Sequence, residues 1–212
     1  LGRVDIDDLK SKISNDVAGM MLTQPNTLGL FENHIEEIAK EVHKVGGLMY
    51  MDGANLNAIA SLCKPAHMGF DIMHINLHKT FSTPHGGGGP GSGPVAVIDN
   101  LASFLPIPRI VINNNKFEWN SDYPDSIGRI HSYFGNFSVL IRAYVYIKIL
   151  GDEGLKQMNR TAIINANYLK HQLQQTYDIP FSDGIMHEFV ASGIKQKKMG
   201  VKALDIAKAL LD

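Results

Sequence analysis

The sequence has very little cysteine, no excess of positive charge and no long apolar run. Cys63 is the only cysteine among 212 residues, which excludes an internal disulfide and fits a reducing compartment. We interpret it as a free, buried thiol, as is usual for an unpaired cysteine. Lys and Arg (20) nearly balance Asp and Glu (21), and the net charge of −1 argues against a nucleic-acid partner.

The sequence also shows no apolar run typical of a membrane span or of a signal peptide. No apolar run approaches the roughly 20 residues that span a bilayer, and the opening LGRVDIDDLKSK lacks the apolar core of a signal peptide. We therefore expect a cytoplasmic protein with no membrane partner. Because the chain starts at Leu1 without an initiating Met, we also expect it to be a piece of a longer polypeptide.

The overall composition is that of an ordinary globular protein, with 44% hydrophobic and 19% charged residues. A chain of this length has room for one large domain, or for most of one and part of a second. Two helical patterns meet at Gly151, and the composition shifts beyond it. We place a domain boundary there, with residues 1–150 in a large domain and residues 151–212 starting a smaller one.

Strands and helices alternate in the first hundred residues. Three apolar runs predict strands, at Val17–Thr23, Leu48–Met51 and Ile72–Leu77. A helix that Asn33 and Glu36 would cap lies between the first two strands, and a short helix is predicted at Asn55–Leu62. The next strand, Val95–Ile98, follows a loop and is expected to return antiparallel. This order predicts an α/β fold with a mostly parallel sheet flanked by helices.

The second half of the chain mixes helical and strand patterns, which indicates the start of an α+β domain. The strand predicted at Arg109–Ile112 and the helix at Asn136–Leu150 still belong to the large domain; the long helix from Asp152, the strand at His187–Ala191 and the helix at Leu204–Leu211 belong to the smaller one.

The most unusual segment is DIMHINLHKTFSTPHGGGGPGSGP, residues 71–94. Alternation along its strand puts His74, Asn76 and His78 on one face. Because buried polar groups need partners, this face is expected to look into a polar site. Lys79 comes next, at the end of the strand where ligands bind in open α/β sheets.

The glycines and the histidines of this segment each suggest a further function. The glycines at 86–89 fit either a functional loop beside a ligand or a flexible connection; a nucleotide-binding P-loop is excluded because the Gly-Lys-Ser/Thr ending is missing. His74, His78 and His85 do not have the spacing of a zinc site. We therefore expect no metal.

Polar residues follow each of the three parallel strands: Asn26 and Thr27, then Asp52, then His78 and Lys79. The carboxyl ends of parallel strands converge on one crevice. Pyridoxal phosphate uses an amine and an acid together, because a lysine forms a Schiff base with its aldehyde and a carboxylate keeps its ring nitrogen protonated. The spacing alone leaves a capping Asp and a solvated Lys equally open.

Longer motifs carry a resemblance to a known family. YMDGANLNA at 50–58 and HINLHKTFSTPHGGGGPGSGP at 74–94 closely resemble the P-protein of the glycine cleavage system, the glycine dehydrogenase (aminomethyl-transferring) family. Shorter motifs that fit the same family are QPNTLGLFE at 24–32, IINANYL at 163–169 and HEF at 187–189. The similarity covers essentially the whole chain. SIGRIHSYFGNFSVLIRAY at 126–144 looks more like the second subunit of the two-polypeptide form.

The resemblance implies the fold type I architecture of pyridoxal-phosphate enzymes, with the second half of the large domain and the start of a small C-terminal domain. It implies that Lys79 binds the cofactor and that Asp52 faces the pyridine nitrogen. Ala54 would pack under the ring. These assignments are carried over because the positions match the family motifs.

The other implied cofactor contacts are Asn76, His78 at the phosphate, and Thr27 or Asn26 near the ring hydroxyl. The implied reaction is decarboxylation of glycine, with transfer of the aminomethyl group to the lipoyl arm of H-protein. The implied partners are glycine, lipoylated H-protein and P-protein subunit 1, in a heterotetramer of two kinds of subunit.

The family pattern also extends beyond this sequence at both ends, so we expect the chain alone to be inactive. Two other interpretations stay open. One is a different fold type I decarboxylase or desulfurase, and the other is a non-catalytic scaffold subunit that keeps only the fold.

Overall fold

The computed structural model describes residues 2–88, 91–131 and 134–211. Gly89 and Pro90 of the glycine-rich segment, and Ser132 and Tyr133 of the 126–144 motif, lie outside the described residues. The helices are α1 Ile6–Lys12, α2 Ile35–Lys44, α3 Leu77–Thr80, α4 Phe137–Leu173, α5 Ile194–Lys198 and α6 Ala203–Ala209. The strands are β1 Gly19–Thr23, β2 Leu48–Gly53, β3 Ile72–Ile75, β4 Val95–Val97, β5 Arg109–Asn113 and β6 Lys116–Asn120.

The first four strands form one sheet in the order β1-β2-β3-β4. β1, β2 and β3 run parallel, and β4 pairs antiparallel with β3. This confirms the predicted α/β topology, including the antiparallel return after the glycine-rich segment. In register, Thr23 pairs with Asp52 and Asp52 pairs with His74. Polar residues of three neighbouring strands therefore lie side by side near the carboxyl ends of these strands.

The hydrophobic core lies on one face of this sheet. Met49 and Met51 of β2 are completely buried, whereas the alternate residues Tyr50 and Asp52 point to the other face. Helix α2 covers the core side with Ile35, Ile38, Ala39 and Val42, and α4 adds Val139, Ala143 and Leu155. The helical spacing in α2 made this apolar stripe predictable.

Helix α4 is interrupted where the sequence predicted a break. Gly151 has φ 61° and ψ −171°, far from helical values, so two helical segments meet there at a bend. The Asn136 side chain accepts a hydrogen bond from the Val139 N–H at the start of the first segment (3.3 Å). Among the helices in the described ranges, none combines the length and apolarity that a bilayer span requires.

Several predicted boundaries were wrong. β3 ends at Ile75 rather than Leu77, because Asn76 starts the short helix α3. Helix α2 begins at Ile35, and neither Asn33 nor the N-cap residue His34 provides a capping hydrogen bond. Only a 3₁₀ turn, Leu56–Ala58, forms where a helix was predicted at Asn55–Leu62.

Two further corrections concern the surface and the C-terminal part. Cys63 is exposed, not buried. The segment at 187–191 forms no strand; isolated bridges join Leu30 to Ile185 and Asp178 to Ser192 instead. The predicted strand at 109–112 exists, but its hairpin partner β6 was missed. The turn residues Asn114 and Asn115 have positive φ, which favours a tight hairpin.

Candidate active site

Lys79 lies in the helical turn that follows β3, and its side chain lines a cavity of about 710 Å³. His78 and Arg142 line the same cavity, and the segment 82–84 and one face of α4 supply much of the remaining wall. Lys79 is exposed to solvent, and its ammonium makes no ion pair with the described residues. A primary amine in such a cavity is available for condensation with a carbonyl group.

Three polar atoms at this cavity lack hydrogen-bond partners among the described residues. They are Nδ1 of His78, Oγ1 of Thr80 and Oγ1 of Thr83, all buried. Buried polar groups are normally paired, and an unpaired one is costly. Together with the positive charges of Lys79 and Arg142, these atoms give the cavity the donors that an anionic group needs.

The surroundings of His78 disfavour the protonated form of its imidazole. Burial lowers the pKa of His78, and the positive charges of His85 and Lys79 lower it further. The two imidazole rings of His78 and His85 meet edge to face, with centroids 4.5 Å apart. A neutral His78 keeps one nitrogen as a donor and one as an acceptor.

Asp52 is the next-to-last residue of β2, and its side chain lies on the face of the sheet opposite the core. Its Oδ1 accepts the backbone N–H of Ala54 at 2.9 Å and lies 3.2 Å from Nε2 of His74. The Tyr50 hydroxyl lies 3.0 Å from Nδ1 of His74. Among the described residues Oδ2 of Asp52 has no partner, and the side chain is 26% exposed. One carboxylate oxygen is thus fixed by the protein and the other is available.

The structure separates the roles of the two residues after β1. The Asn26 side chain donates to the Gly2 carbonyl (2.7 Å) and accepts from the N–H groups of Leu28 and Leu30. It therefore builds the turn. The neighbouring Thr27 is exposed. Of the two, Thr27 is the residue left with a side chain free to contact a ligand.

Asn76 precedes α3 as its N-cap residue, and its carbonyl accepts the N–H groups of Lys79 and Thr80. This bonding turns the chain sharply at the end of β3. His78 and Lys79 therefore follow on a helical turn, and the strand alternation used for prediction does not reach them. Their placement beside the cavity depends on this turn.

The predicted residues fall into two groups. Lys79 and His78 share the cavity, while Asp52 and Ala54 share a hydrogen bond at the end of β2. Asp52 is not among the residues that line the cavity. The meeting of Asp52 and Lys79 at one cofactor ring stays a prediction.

His187 is a residue near the site to which sequence reasoning gave no role. Its side chain is only 8% exposed, and its Nε2 lies 3.5 Å from Oε1 of Glu188. Burial lowers the pKa of His187; the charge of Glu188 opposes this shift and the charge of Lys79 adds to it. The HEF motif at 187–189 was the available signal.

The C-terminal segment is held next to these strands by a buried amide. Nδ2 of Asn55 donates to the Pro25 carbonyl at 2.9 Å and to Oε1 of Glu188 at 3.2 Å. Helix α4 contributes Arg142 and Tyr146 to the cavity. Both lie on a helix that was predicted only as a packing element. In the described part of the chain, no group of three or more acidic, His or Cys residues is arranged to hold a metal ion.

Solved structures share this fold at low sequence identity. The apo cysteine desulfurase of Thermococcus onnurineus NA1 matches with a TM-score of 0.62 and 16% identity, over 88% of this chain and 46% of that chain. The sphingosine-1-phosphate lyase of Burkholderia pseudomallei K96243 matches with a TM-score of 0.58 and 12% identity, over 82% and 39%. These matches confirm the predicted fold class, the α/β architecture of fold type I.

Family comparisons are more specific. The glycine cleavage system P-protein family matches residues 3–118, and the family described as glycine dehydrogenase, C-terminal domain, matches residues 158–212. The chain belongs to the glycine cleavage system P-protein family, as its motifs predicted.

Individual relatives agree with this membership over the whole chain. The probable glycine dehydrogenase (decarboxylating) subunit 2 of Staphylococcus epidermidis is 54% identical over 211 residues, and that of Chlorobium chlorochromatii is 56% identical over 212 residues. Both alignments cover 100% of this chain but only 42% and 44% of the relatives. The chain thus spans less than half the length of these relatives.

Proposed function

We propose that this chain takes part in pyridoxal-phosphate-dependent decarboxylation of glycine, with transfer of the aminomethyl group to the lipoyl arm of H-protein. The observation that carries the proposal is the exposed amine of Lys79 in a cavity with unpaired polar atoms, in a chain of the P-protein family. Partnership with P-protein subunit 1 and a cytoplasmic location belong to the same proposal, as do a large domain at residues 1–150 and a smaller one from residue 151.

The residues present fit the cofactor chemically. Lys79 offers an amine for the aldehyde, and Oδ2 of Asp52 is an unpaired acceptor for a protonated ring nitrogen. The neutral imidazole of His78 and the hydroxyls of Thr80 and Thr83 offer donors to a phosphate. These are the three functional groups by which pyridoxal phosphate is held.

Each predicted residue would hold one part of the cofactor. Lys79 would bind the aldehyde, Asp52 would bind the ring nitrogen, and Ala54 would pack under the ring. Asn76 and His78 would lie near the phosphate end, and Thr27 near the ring hydroxyl. When bound, the cofactor supplies an electron-accepting ring that stabilises the charge left on the α-carbon of the substrate.

The chain's own contribution is orientation and charge. With the cofactor bound, the Asp52 carboxylate would keep a proton on the ring nitrogen, and the residues around Lys79 would orient the bond to be broken. The C–C bond of glycine breaks and carbon dioxide leaves. Its electron pair forms the new C–S bond to the lipoyl group, and the second lipoyl sulfur leaves as a thiolate that takes up a proton.

Borohydride trapping tests the proposal on the complete gene product that contains this chain, mixed with P-protein subunit 1 and pyridoxal phosphate. We expect a reduced pyridoxyl adduct at Lys79 by peptide mapping, and its loss in Lys79→Ala. The exposed Lys64 serves as a matched control, because Lys64→Ala removes an ordinary surface amine. An adduct that persists in Lys79→Ala contradicts the assignment.

A second assay separates the possible reactions. Exchange of the glycine carboxyl group with bicarbonate, dependent on lipoylated H-protein, is expected for the proposed function. Trapping without this exchange, accompanied by sulfide release from cysteine, identifies a desulfurase instead. If neither an adduct nor exchange is observed, a scaffold subunit is the better description.

A further inference from the structure

A chain of contacts between three side chains leads to Asp52 on the face of the sheet opposite the core. Asp52 and His74 are register partners on β2 and β3, so their side chains leave the sheet on the same face. Tyr50 lies two residues before Asp52 on β2 and shares that face. The distances are 3.0 Å from the Tyr50 hydroxyl to Nδ1 of His74, and 3.2 Å from Nε2 of His74 to Oδ1 of Asp52.

The placement of the protons follows from the chemistry of the three groups. An ionised carboxylate has no proton to offer, so its charge, 3.2 Å from Nε2 of His74, favours the tautomer with the proton on that nitrogen. In a neutral imidazole, Nδ1 is then an acceptor, and the Tyr50 hydroxyl must donate to it. Burial, and secondarily the charge of Asp52, raise the pKa of Tyr50, which keeps its hydroxyl protonated and able to donate.

These contacts leave Asp52 with two chemically different oxygens. Oδ1 accepts the Ala54 N–H and lies 3.2 Å from Nε2 of His74, so both groups hold this oxygen in place. Oδ2 receives no donor from the described residues. A carboxylate that is held at one oxygen and open at the other is suited to bind a cationic N–H donor in a fixed direction.

We propose that Tyr50 and His74 are positioning residues that act through Asp52, fixing the His74 tautomer and aiming Oδ2 of Asp52 at the protonated ring nitrogen of pyridoxal phosphate. This inference rests on the proposed function, because it assumes that Asp52 contacts the ring. The relay itself is a property of the protein without cofactor. It can therefore be tested independently.

The first test uses nitrogen NMR of the complete gene product, ¹⁵N-labelled at histidine and free of cofactor. The signals that disappear in His74→Gln identify His74. We expect a protonated Nε2 and an unprotonated, hydrogen-bonded Nδ1. In Tyr50→Phe, which removes a single oxygen, the Nδ1 resonance should shift toward that of a free acceptor nitrogen.

The matched control is Tyr144→Phe, because Tyr144 is 60% exposed on α4 and has no role in the relay. Its His74 signals should equal those of the parent protein. A proton on Nδ1 of His74 in the parent, or unchanged signals in Tyr50→Phe, overturns the proposal. Either result is obtained without cofactor, so it does not depend on whether the proposed function is correct.

The second test measures what the relay does for the cofactor. In His74→Leu, Asp52 loses a charge-assisted donor, and we expect the dissociation constant for pyridoxal phosphate to rise roughly tenfold. His74→Gln keeps an N–H that can reach Asp52 and should restore most of the affinity. With ¹⁵N-labelled cofactor, the ring nitrogen should be less protonated in His74→Leu than in the parent.

The outcomes separate the two proposals. No Lys79 adduct in the parent protein means that the proposed function has failed, while the cofactor-free spectra still decide whether the relay exists. A normal adduct together with an unchanged ring-nitrogen signal in His74→Leu means that the relay has no role toward the cofactor. Equal losses in His74→Gln and His74→Leu would contradict positioning by a donor at this site.

Discussion

At the residue scale, the position of Asp52 depends on a close contact between two strands just beyond it. Gly53 ends β2, and a Cβ atom added there would lie 1.9 Å from the backbone carbonyl oxygen of His74. No side-chain rotation relieves a clash with backbone atoms. Only a glycine at this position lets β2 and β3 keep their register through Asp52 and His74.

Gly53→Ala should therefore separate the strands and destabilise the protein by about 1–3 kcal/mol, the usual cost of overpacking. Urea denaturation of the complete gene product measures the loss. Gly91→Ala is the control, because the His85 carbonyl oxygen lies at an ordinary van der Waals distance of 3.8 Å from the added Cβ. We expect that variant to stay within about 0.5 kcal/mol of the parent. Equal losses in the two variants would show that the strand contact is not the cause.

The residue types of the candidate site were predictable, but their bonding was not. Strand-end positions pointed to Asp52, His78 and Lys79, because chemistry at the carboxyl ends of parallel strands follows from topology. Sequence could not show that Asn26 uses its side chain to build a turn while Thr27 stays exposed. Local side-chain hydrogen bonds depend on loop geometry, which the residue pattern does not determine.

At the element scale, the end of β3 shows where pattern reasoning stops working. Polar residues at 74, 76 and 78 fit one face of a strand, but only residues 72–74 pair with β4. The N–H of Ile75 bonds to the Pro94 carbonyl, and the helical turn α3 starts immediately afterwards. The alternation of polar residues continues by chance into the helical turn. It does not mark the end of the strand, because the pairing with neighbouring strands sets the strand's length.

The missing strand at 187–191 has a related cause. Its sequence HEFVA has the composition of a strand, but no neighbouring strand edge pairs with it among the described residues. The segment is held instead by the Met186 N–H on the Gly29 carbonyl (2.7 Å) and by Asn55 on Glu188. Strand propensity is realised only where a partner strand is present.

Helix α4 provides the prediction for this scale. Gly151 has φ 61° and ψ −171°, a region of backbone space that is essentially restricted to glycine. An added Cβ would meet nothing within 4 Å, so the cost of substitution comes from the backbone alone. Gly151→Ala should destabilise the protein by about 1–3 kcal/mol, or else straighten the bend between the two helical segments.

Differential scanning calorimetry measures the first effect, and a crystal structure of the variant detects the second. Gln157→Ala, an exposed substitution on the same helix, is the control and should stay within about 0.5 kcal/mol of the parent. If Gly151→Ala changes neither the stability nor the bend, a residue other than glycine can adopt this backbone conformation without cost.

At the scale of the whole molecule, the order of elements and the parallel sheet were predictable because they depend on periodicity, which the sequence displays directly. The meeting of Lys79 and Arg142 at one cavity was not. These residues lie on two separate segments of the chain, and their approach depends on the packing of α4 against the sheet. Long-range packing leaves no short signature in sequence.

This packing has a consequence for global stability. His187 and His78 are both buried enough to lower their pKa values below the ordinary 6.5, and in both cases the charge of Lys79 adds to the effect. As the pH falls, a histidine whose pKa is lowered in the folded state binds its proton at a higher pH in the unfolded state than in the folded state. Stability should therefore be fully present above about pH 6.5 and should fall as the pH drops through 6.5 toward the folded-state pKa.

His187→Gln tests this linkage because glutamine keeps a polar side chain but does not titrate. We expect the variant to lose less stability than the parent when urea unfolding is followed from about pH 8 to pH 5, a range in which one proton changes stability by at most about 1.4 kcal/mol per pH unit. His171→Gln, at an exposed position on α4, should keep the parent's pH profile. A His187→Gln profile parallel to that of the parent would show that the buried imidazole does not control acid stability, and that the protons are taken up elsewhere.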